Sequence, residues 1–299
     1  MTLAENVVAA LTAWLEQTAS VTPVAGGWNS STWLVTDRDT RYVAKLVDHA
    51  DADGLTSSLR VAEFAAARGL ACGPPLRTRG GELAVTLNSG VLVLLTYVPG
   101  APPDLSVQGQ VRRAGRVLAQ AHQLLGEFPG AEELPYQWPW EWVPRCLDTI
   151  AMPPDLRAAA LRAWGEVVDA AADHELTIGI IHADPGPDAF RLNNAGQDAL
   201  IDWATTLRGP FLYDLASFAV TSRHAGPRSA RWFCEGYAEQ MPQIGPQLTW
   251  LDCLIKARWV ANAIYFASRI ERGITRGPGA VTANQDGLAD AYDGLLRSR

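Results

Sequence analysis

The chain has 299 residues, 48% of them hydrophobic and 19% charged, and a net charge of −7. This composition folds, is long enough for two lobes, and speaks against nucleic acid and anionic membrane as partners while suiting a cationic small substrate. No apolar run approaches the ~18 residues of a bilayer crossing, and the four scattered cysteines, Cys72, Cys146, Cys234 and Cys253, make neither a metal nor a disulfide pattern, so a reducing cytoplasm is expected.

No secretory leader is expected at the N-terminus, where the first basic residue is Arg38. Leu3, Val7, Ala10, Leu11, Trp14 and Leu15 fall at helical spacing and predict a helix over 3–17. Three strands are predicted between Val21 and Val47. The first two flank Gly26-Gly27-Trp28-Asn29-Ser30-Ser31, a turn whose backbone N–H groups and hydroxyls can face phosphates. A plain hairpin turn has the same composition. The third strand ends Tyr42-Val43-Ala44-Lys45. Only two of the 25 basic residues are lysines, Lys45 and Lys256, and a lysine kept against that bias marks a place where a compact ammonium is wanted.

A helix is predicted from Leu55 to Gly69, with Glu63 on it. Two or three strands follow between Pro74 and Val98, the last being the apolar run Val91–Val98. Pro99-Gly100-Ala101-Pro102-Pro103 then breaks the composition, and the boundary between lobes is placed there. Val107 to Leu125 predicts a strong helix containing His122. The segment Trp138-Pro139-Trp140-Glu141-Trp142 invites a stacking role on a cationic acceptor, with Trp140 as the candidate, or plain packing. Helices are predicted over 142–150 and 155–174.

Thr177 to Ile181 is a short apolar run into a loop with His182, Asp184 and Asp188. Ala199-Leu200-Ile201 is a second run, into Asp202 and Trp203. Two carboxylates, each ending a short strand, suit phosphoryl transfer: one accepts the proton of an attacking hydroxyl and the other holds Mg²⁺ on a nucleotide. Turn-forming aspartates beside Gly and Pro are the plain alternative. Helices over about 228–240, 247–271 and 287–298 finish the chain and carry Glu235, Glu239 and Glu271, acidic candidates for cationic acceptor groups. A hydrolase built on His182 and Asp184 lacks a nucleophile motif.

His182-x-Asp184, Ile201-Asp202-Trp203 and Gly209-Pro210-x-x-Tyr213-Asp214-Leu215-Ala216 resemble the catalytic half of the aminoglycoside phosphotransferase family, written H-G-D-x-H-P-x-N, I-D-W and G-D-P-x-Y-D-L-A. The resemblance implies an α+β, bilobal, protein-kinase-like fold, with a small antiparallel-sheet lobe (1–98) and a mostly helical lobe (99–299). It implies a small-molecule kinase that uses ATP or GTP with Mg²⁺, as a monomer or homodimer. In the implied roles, Asp184 is the base, Lys45 holds phosphates with Glu63 as its ion-pair partner, and Ser30 and Ser31 cover them. Leu94, Thr96 and Tyr97 meet the nucleotide base, Asp202 holds metal, Asp214 braces the catalytic loop, and His122 is scaffold. The acceptor is an aminoglycoside-like antibiotic or other hydroxylated metabolite. The family's second metal ligand, Asn, falls at Ala189, which cannot bind metal. Asp188, one residue earlier, is the expected replacement. If it does not replace it, a catalytically impaired binding protein is the alternative.

Overall fold

The computed structural model describes residues 2–16, 19–24, 27–131, 134, 138, 142–172, 176–193, 196–275 and 280–297. Helix α1 (Leu3–Ala10) opens on a capping box. The Thr2 hydroxyl accepts from the Glu5 N–H, and the Glu5 carboxylate accepts from the Thr2 N–H. The helix is shorter than predicted: it tightens into a 3₁₀ turn over Leu11–Ala13, and Trp14 then turns inward, its indole N–H donating to the Leu76 carbonyl at 2.8 Å.

Strands β1 (Ser20–Val24), β2 (Ser31–Asp37), β3 (Thr40–Val47), β4 (Val85–Leu87) and β5 (Gly90–Thr96) form an antiparallel sheet in the order β1-β2-β3-β5-β4. Alternation along the strands sorts the side chains onto two faces. Trp33, Val35, Ala44, Leu46, Leu92 and Leu94 pack on Val7, Leu11 and Trp14 from the N-terminal segment. On the opposite face Val43, Val47, Val91, Val93 and Leu95 pack on Leu55 and Leu59 of helix α2 (Ala52–Ala67). Lys45 lies between Val43 and Val47 and therefore projects on the α2 side. Further along, α2 gives Val61, Ala62 and Ala65 to the large helical core, so one helix serves both regions.

That core is built by α3 (Gln108–Leu125), α4 (Val143–Thr149), α5 (Pro154–Ala172), α6 (Phe211–Thr221), α7 (Pro227–Gln240), α8 (Leu251–Glu271) and α9 (Ala280–Arg297). α3 and α7 cross at a pair of glycines: a Cβ on Gly115 would strike the Phe233 carbonyl, and one on Gly236 would strike the Arg112 carbonyl. The helix expected from residue 247 starts at Leu251, because Pro242–Trp250 is a 3₁₀ segment interrupted by Pro246, which has no N–H to donate. The predicted end at His174 lies outside the described residues. Two small ribbons sit where sheet and helices meet: β6 (Ile178–Ile181) pairs with β9 (Leu207–Pro210), and β7 (Phe190–Arg191) with β8 (Ala199–Leu200). The linker after β5 is tied to them by reciprocal Ala101–Leu192 backbone bonds of 3.0 and 2.8 Å. Among the described residues no helix is long and apolar enough to cross a membrane.

Candidate active site

The two ribbons deliver the carboxylates. β6 ends at Ile181 and the chain turns through His182-Ala183-Asp184. Ala183 takes a left-handed conformation, φ 70°, that an alanine adopts at a cost of about 1 kcal/mol. Asp214, in the first turn of α6, holds the turn there: its two carboxylate oxygens accept the N–H groups of His182 and Ala183, each at 2.8 Å. Asp214 is fully buried and also accepts from His122 Nε2 at 3.0 Å. His122 Nδ1 lies 2.7 Å from the Tyr237 hydroxyl. Burial, with Asp214 nearby, pushes the Tyr237 pKa up, so this hydroxyl keeps its proton within the buried chain Tyr237–His122–Asp214. His122 and Asp214 are scaffold, and the loop they hold carries Asp184 with 52% of its side chain exposed.

His182 faces away from solvent: it is buried, its Nε2 lies 2.9 Å from the Ile201 carbonyl, and its ring meets Trp203 edge-on. It thus ties the first carboxylate loop to the second. Asp202 follows Ile201, with φ also 70°, and aims its carboxylate across the cleft at Lys45, with which it forms an ion pair. Lys45, first of all, and also His182 and Arg191, hold the Asp202 carboxyl below the usual range against the opposing effect of burial. It is therefore ionised at neutral pH, and 55% of its side chain opens on the cleft.

Glu63 is not the partner of Lys45. It lies on α2 beside Arg77, which grips it through Nε and Nη2, both at 2.7 Å, and donates Nη1 to the Gly81 carbonyl at 2.8 Å. The Arg77 fork holds this carboxylate with two parallel bonds, while the Lys45 ammonium is given to Asp202.

Pro187–Ala189 is a 3₁₀ turn, in which neighbouring side chains point about 120° apart, so a shift from 189 to 188 redirects the group. The Asp188 carboxylate lies against Gly186 near Thr221, and its backbone carbonyl accepts from Arg191. Ala189 sits beside the metal candidate, its carbonyl accepting the Ile201 N–H at 2.7 Å, but offers a methyl group. Among the described residues no three metal-binding side chains cluster. An ion here fits as Mg²⁺ commonly does, on one carboxylate with phosphate oxygens and water completing the shell.

Above the cleft the β1–β2 loop folds tightly at Gly27, where a Cβ would strike the Ser30 carbonyl. Ser30 and Ser31 are half-buried, and Ser30 Oγ lies 3.1 Å from Thr32 Oγ1. Gly26 lies outside the described residues. The loop tip rests on α8, which nothing in the sequence flagged. Tyr265 donates to Asn29 Oδ1 at 2.7 Å, Arg269 Nη1 donates to the Trp28 carbonyl at 3.0 Å, and Phe266 packs edge-on against Trp28. Two turns earlier, Arg258 Nη2 donates to Asp184 Oδ1 at 2.5 Å and Nη1 to the Ala183 carbonyl at 2.9 Å. Burial lowers the Arg258 pKa, but Asp184 and Tyr213 outweigh it, so the guanidinium stays charged. Residues 258, 262, 265 and 269 recur at helical spacing and share a face. That periodicity was the available signal.

At the end of β5, Leu94 is fully buried in the sheet, opposite Ala44, and its carbonyl accepts from Leu76 at 2.7 Å, so it is not a nucleotide contact. Thr96 and Tyr97 stand at the strand's open end, with Arg41 over the Tyr97 ring. The acidic acceptor candidates are engaged elsewhere. Glu239 binds Arg112 and Arg116, Glu235 pairs with Arg112 and Arg231 on α3 and α7, and Glu271 accepts from the Ala151 N–H. Trp140 lies outside the described residues.

A model described as the phosphotransferase enzyme family matches residues 20–246. A homoserine kinase of Neisseria meningitidis serogroup B is 26% identical over 202 residues, 68% of this chain and 66% of its own length. A homoserine kinase of Hyphomonas neptunium is 30% identical over 200 residues, 64% of this chain and 60% of its own length. The chain thus spans less than two thirds of these relatives. Among solved structures, a microcompartment-associated aminopropanol kinase superposes with a TM-score of 0.78 at 18% identity, covering 99% of this chain and 96% of that one. The amicoumacin kinase hAmiN, in complex with AMP-PNP, Ca²⁺ and Ami, gives 0.77 at 14% identity, covering 99% and 94%. The likeness is one of fold, and it bears out the two-part architecture expected from the sequence.

Proposed function

The chain belongs to the phosphotransferase enzyme family, and from that premise we propose that it moves the γ-phosphate of ATP or GTP to a hydroxyl of a small molecule. The observation that carries the reading is the meeting of Lys45 and Asp202 across the cleft, with Asp184 on a braced loop beside them. When nucleotide enters, the Lys45 ammonium moves from Asp202 to the phosphates, and Asp202 is freed for a divalent cation. Mg²⁺, when bound, neutralises charge on the β- and γ-phosphate oxygens. The N–H groups and hydroxyls of the Ser30–Ser31 turn cover the same phosphates, and Thr96 and Tyr97 border the base. Asp184 accepts the proton of the acceptor hydroxyl. The freed oxygen attacks the γ-phosphorus in line, the bond to the nucleoside diphosphate breaks, and a phosphate monoester leaves while Asp184 returns its proton to solvent. The cytoplasm, where nucleoside triphosphates are made, suits this reaction.

The acceptor is better read as a small amino alcohol or hydroxy amino acid than as an aminoglycoside. The curated relatives are named homoserine kinases, one neighbour is named an aminopropanol kinase, and the carboxylates expected to meet a polycation are bound to arginines or backbone elsewhere. One observation favours a second reading, a binding protein without turnover: the methyl of Ala189 beside Asp202.

Thermal unfolding with ATP and GTP, with and without Mg²⁺, tests the site. At about 100-fold excess over Kd, binding adds ~2.7 kcal/mol, or about 5–10 °C for a chain of this size. The shift should depend on Mg²⁺ and vanish in Asp202→Ala. Absence of a shift with either nucleotide would sink the kinase mechanism. A shift without ADP or GDP release across hydroxylated acceptors would favour the binding protein.

A further inference from the structure

The strip of α8 that lines the cleft between Asp184 and the β1–β2 loop is made of Arg258, Asn262, Tyr265 and Arg269. From Cys253 to Ile270 this helix carries no aspartate or glutamate. The strip itself therefore offers a polycationic acceptor guanidinium charge, from Arg258 at the cleft and Arg269 buried behind it, and no carboxylate.

Arg258 is poised for a second anion. Its side chain is 15% exposed. It lies under Asp184; two of its five N–H groups serve Asp184 Oδ1 and the Ala183 carbonyl, and the Tyr213 hydroxyl stands beside it as a further partner. Its Nε–H is buried without a hydrogen-bond partner among the described residues. One turn on, Asn262 is half-buried, and among the described residues its amide makes no hydrogen bond. A permanently charged fork with unused donors, next to a free amide, is how proteins recognise carboxylates.

We propose that Arg258, assisted by Asn262, binds a carboxylate on the acceptor, so that the enzyme selects short hydroxy acids over amino alcohols of the same length. The selection rests on the transfer reading above and deepens it. Because Arg258 binds Asp184 as well, one guanidinium fixes both ends of the acceptor: the hydroxyl through the base and the carboxylate directly. The hydroxyl and the carboxylate must then lie only a few bonds apart, as in a β- or γ-hydroxy amino acid.

L-Homoserine and 3-aminopropan-1-ol differ only in the carboxylate, and kcat/KM for the pair reads the interaction. Wild type should prefer homoserine by about 10- to 100-fold, the size of one charge-assisted hydrogen-bonded contact in a partly closed site. In Arg258→Met the ratio should collapse to within about fivefold, chiefly through the KM of homoserine, and Arg258→Lys should restore part of it, because it keeps the charge without the fork. Equal use of both acceptors by wild type, or a preference that survives Arg258→Met, would overturn the proposal. Should no acceptor turn over, the transfer reading fails alone, and binding still decides this one. With ADP present, 2-aminobutyrate should stabilise wild type in thermal unfolding where propylamine does not, and Arg258→Met should erase the difference. No carboxylate-dependent shift in wild type would refute the proposal.

Discussion

The cleft has two ends, and they were written into the sequence in different ways. At the proposed phosphate end, Lys45, Asp184 and Asp202 lie in short segments whose order and flanking residues resemble family motifs; the fold pairs Lys45 with Asp202 and ties the loop of Asp184 to that of Asp202 through His182. At the acceptor end, three glutamates were expected to face a cation. The structure turns Glu235 and Glu239 toward the arginines of α3 and α7, sets Glu271 against the backbone at Ala151, and fills the wall with Arg258, Asn262, Tyr265 and Arg269. Phosphoryl chemistry demands a fixed set of charges around the γ-phosphate, so its residues sit on loops of defined shape. Acceptor choice needs only a helix face of suitable charge, and nothing local marks which face that will be.

The phosphate end breaks most sharply at Asp184. Asp184→Asn keeps the size of the side chain and a hydrogen-bond acceptor for Arg258 but cannot take a proton. kcat should fall about 10²–10⁴-fold, the usual contribution of a positioned base, with the Mg²⁺-nucleotide thermal shift intact. A loss of under about tenfold would mean that another group accepts the proton, and the two ends would no longer divide at this residue.

Tyr265 tests whether the two ends work independently. Its hydroxyl joins α8, the proposed acceptor wall, to Asn29 in the β1–β2 loop proposed to cover the phosphates, reinforced by Arg269 on the Trp28 carbonyl and by the Trp28–Phe266 ring pair. Tyr265→Phe removes one partly exposed hydrogen bond of about 0.5–1.5 kcal/mol and leaves the ring. The KM of the nucleotide and that of the acceptor should rise together, each by about two- to tenfold. A rise confined to the acceptor would show that the loop closes without α8.

What was legible follows from range. The Tyr213-Asp214-Leu215-Ala216 signature placed the brace of the catalytic loop at the start of α6, because a helix first turn is set within a few residues. The glutamate partners were not legible. Arg77 and Glu63 are brought together by the path of the chain after α2, and Arg112 meets Glu239 because α3 and α7 cross at Gly115 and Gly236, a contact between segments far apart in sequence. Arg258 was missed for the same reason. Its meaning lies in Asp184, and only the packing of α8 on α6 and the catalytic loop brings the two within 2.5 Å.

The smallest expected effect bears on Glu63, which the sequence paired with Lys45 and the structure pairs with Arg77. If Lys45 needed Glu63 for its direction, Glu63→Gln would cost as much as losing the lysine. In the structure Lys45 is directed by Asp202, and in the proposed mechanism the nucleotide phosphates take over, while Glu63 and Arg77 form a partly exposed pair. Exposed pairs contribute little, so Glu63→Gln should change kcat/KM by less than about threefold, whereas Lys45→Met should abolish the nucleotide shift. A large loss in Glu63→Gln would mean that α2 rotates when nucleotide binds and trades Arg77 for Lys45. The phosphate end would then be assembled by its substrate, and the acceptor end, held by packed helices, would be the more rigid of the two.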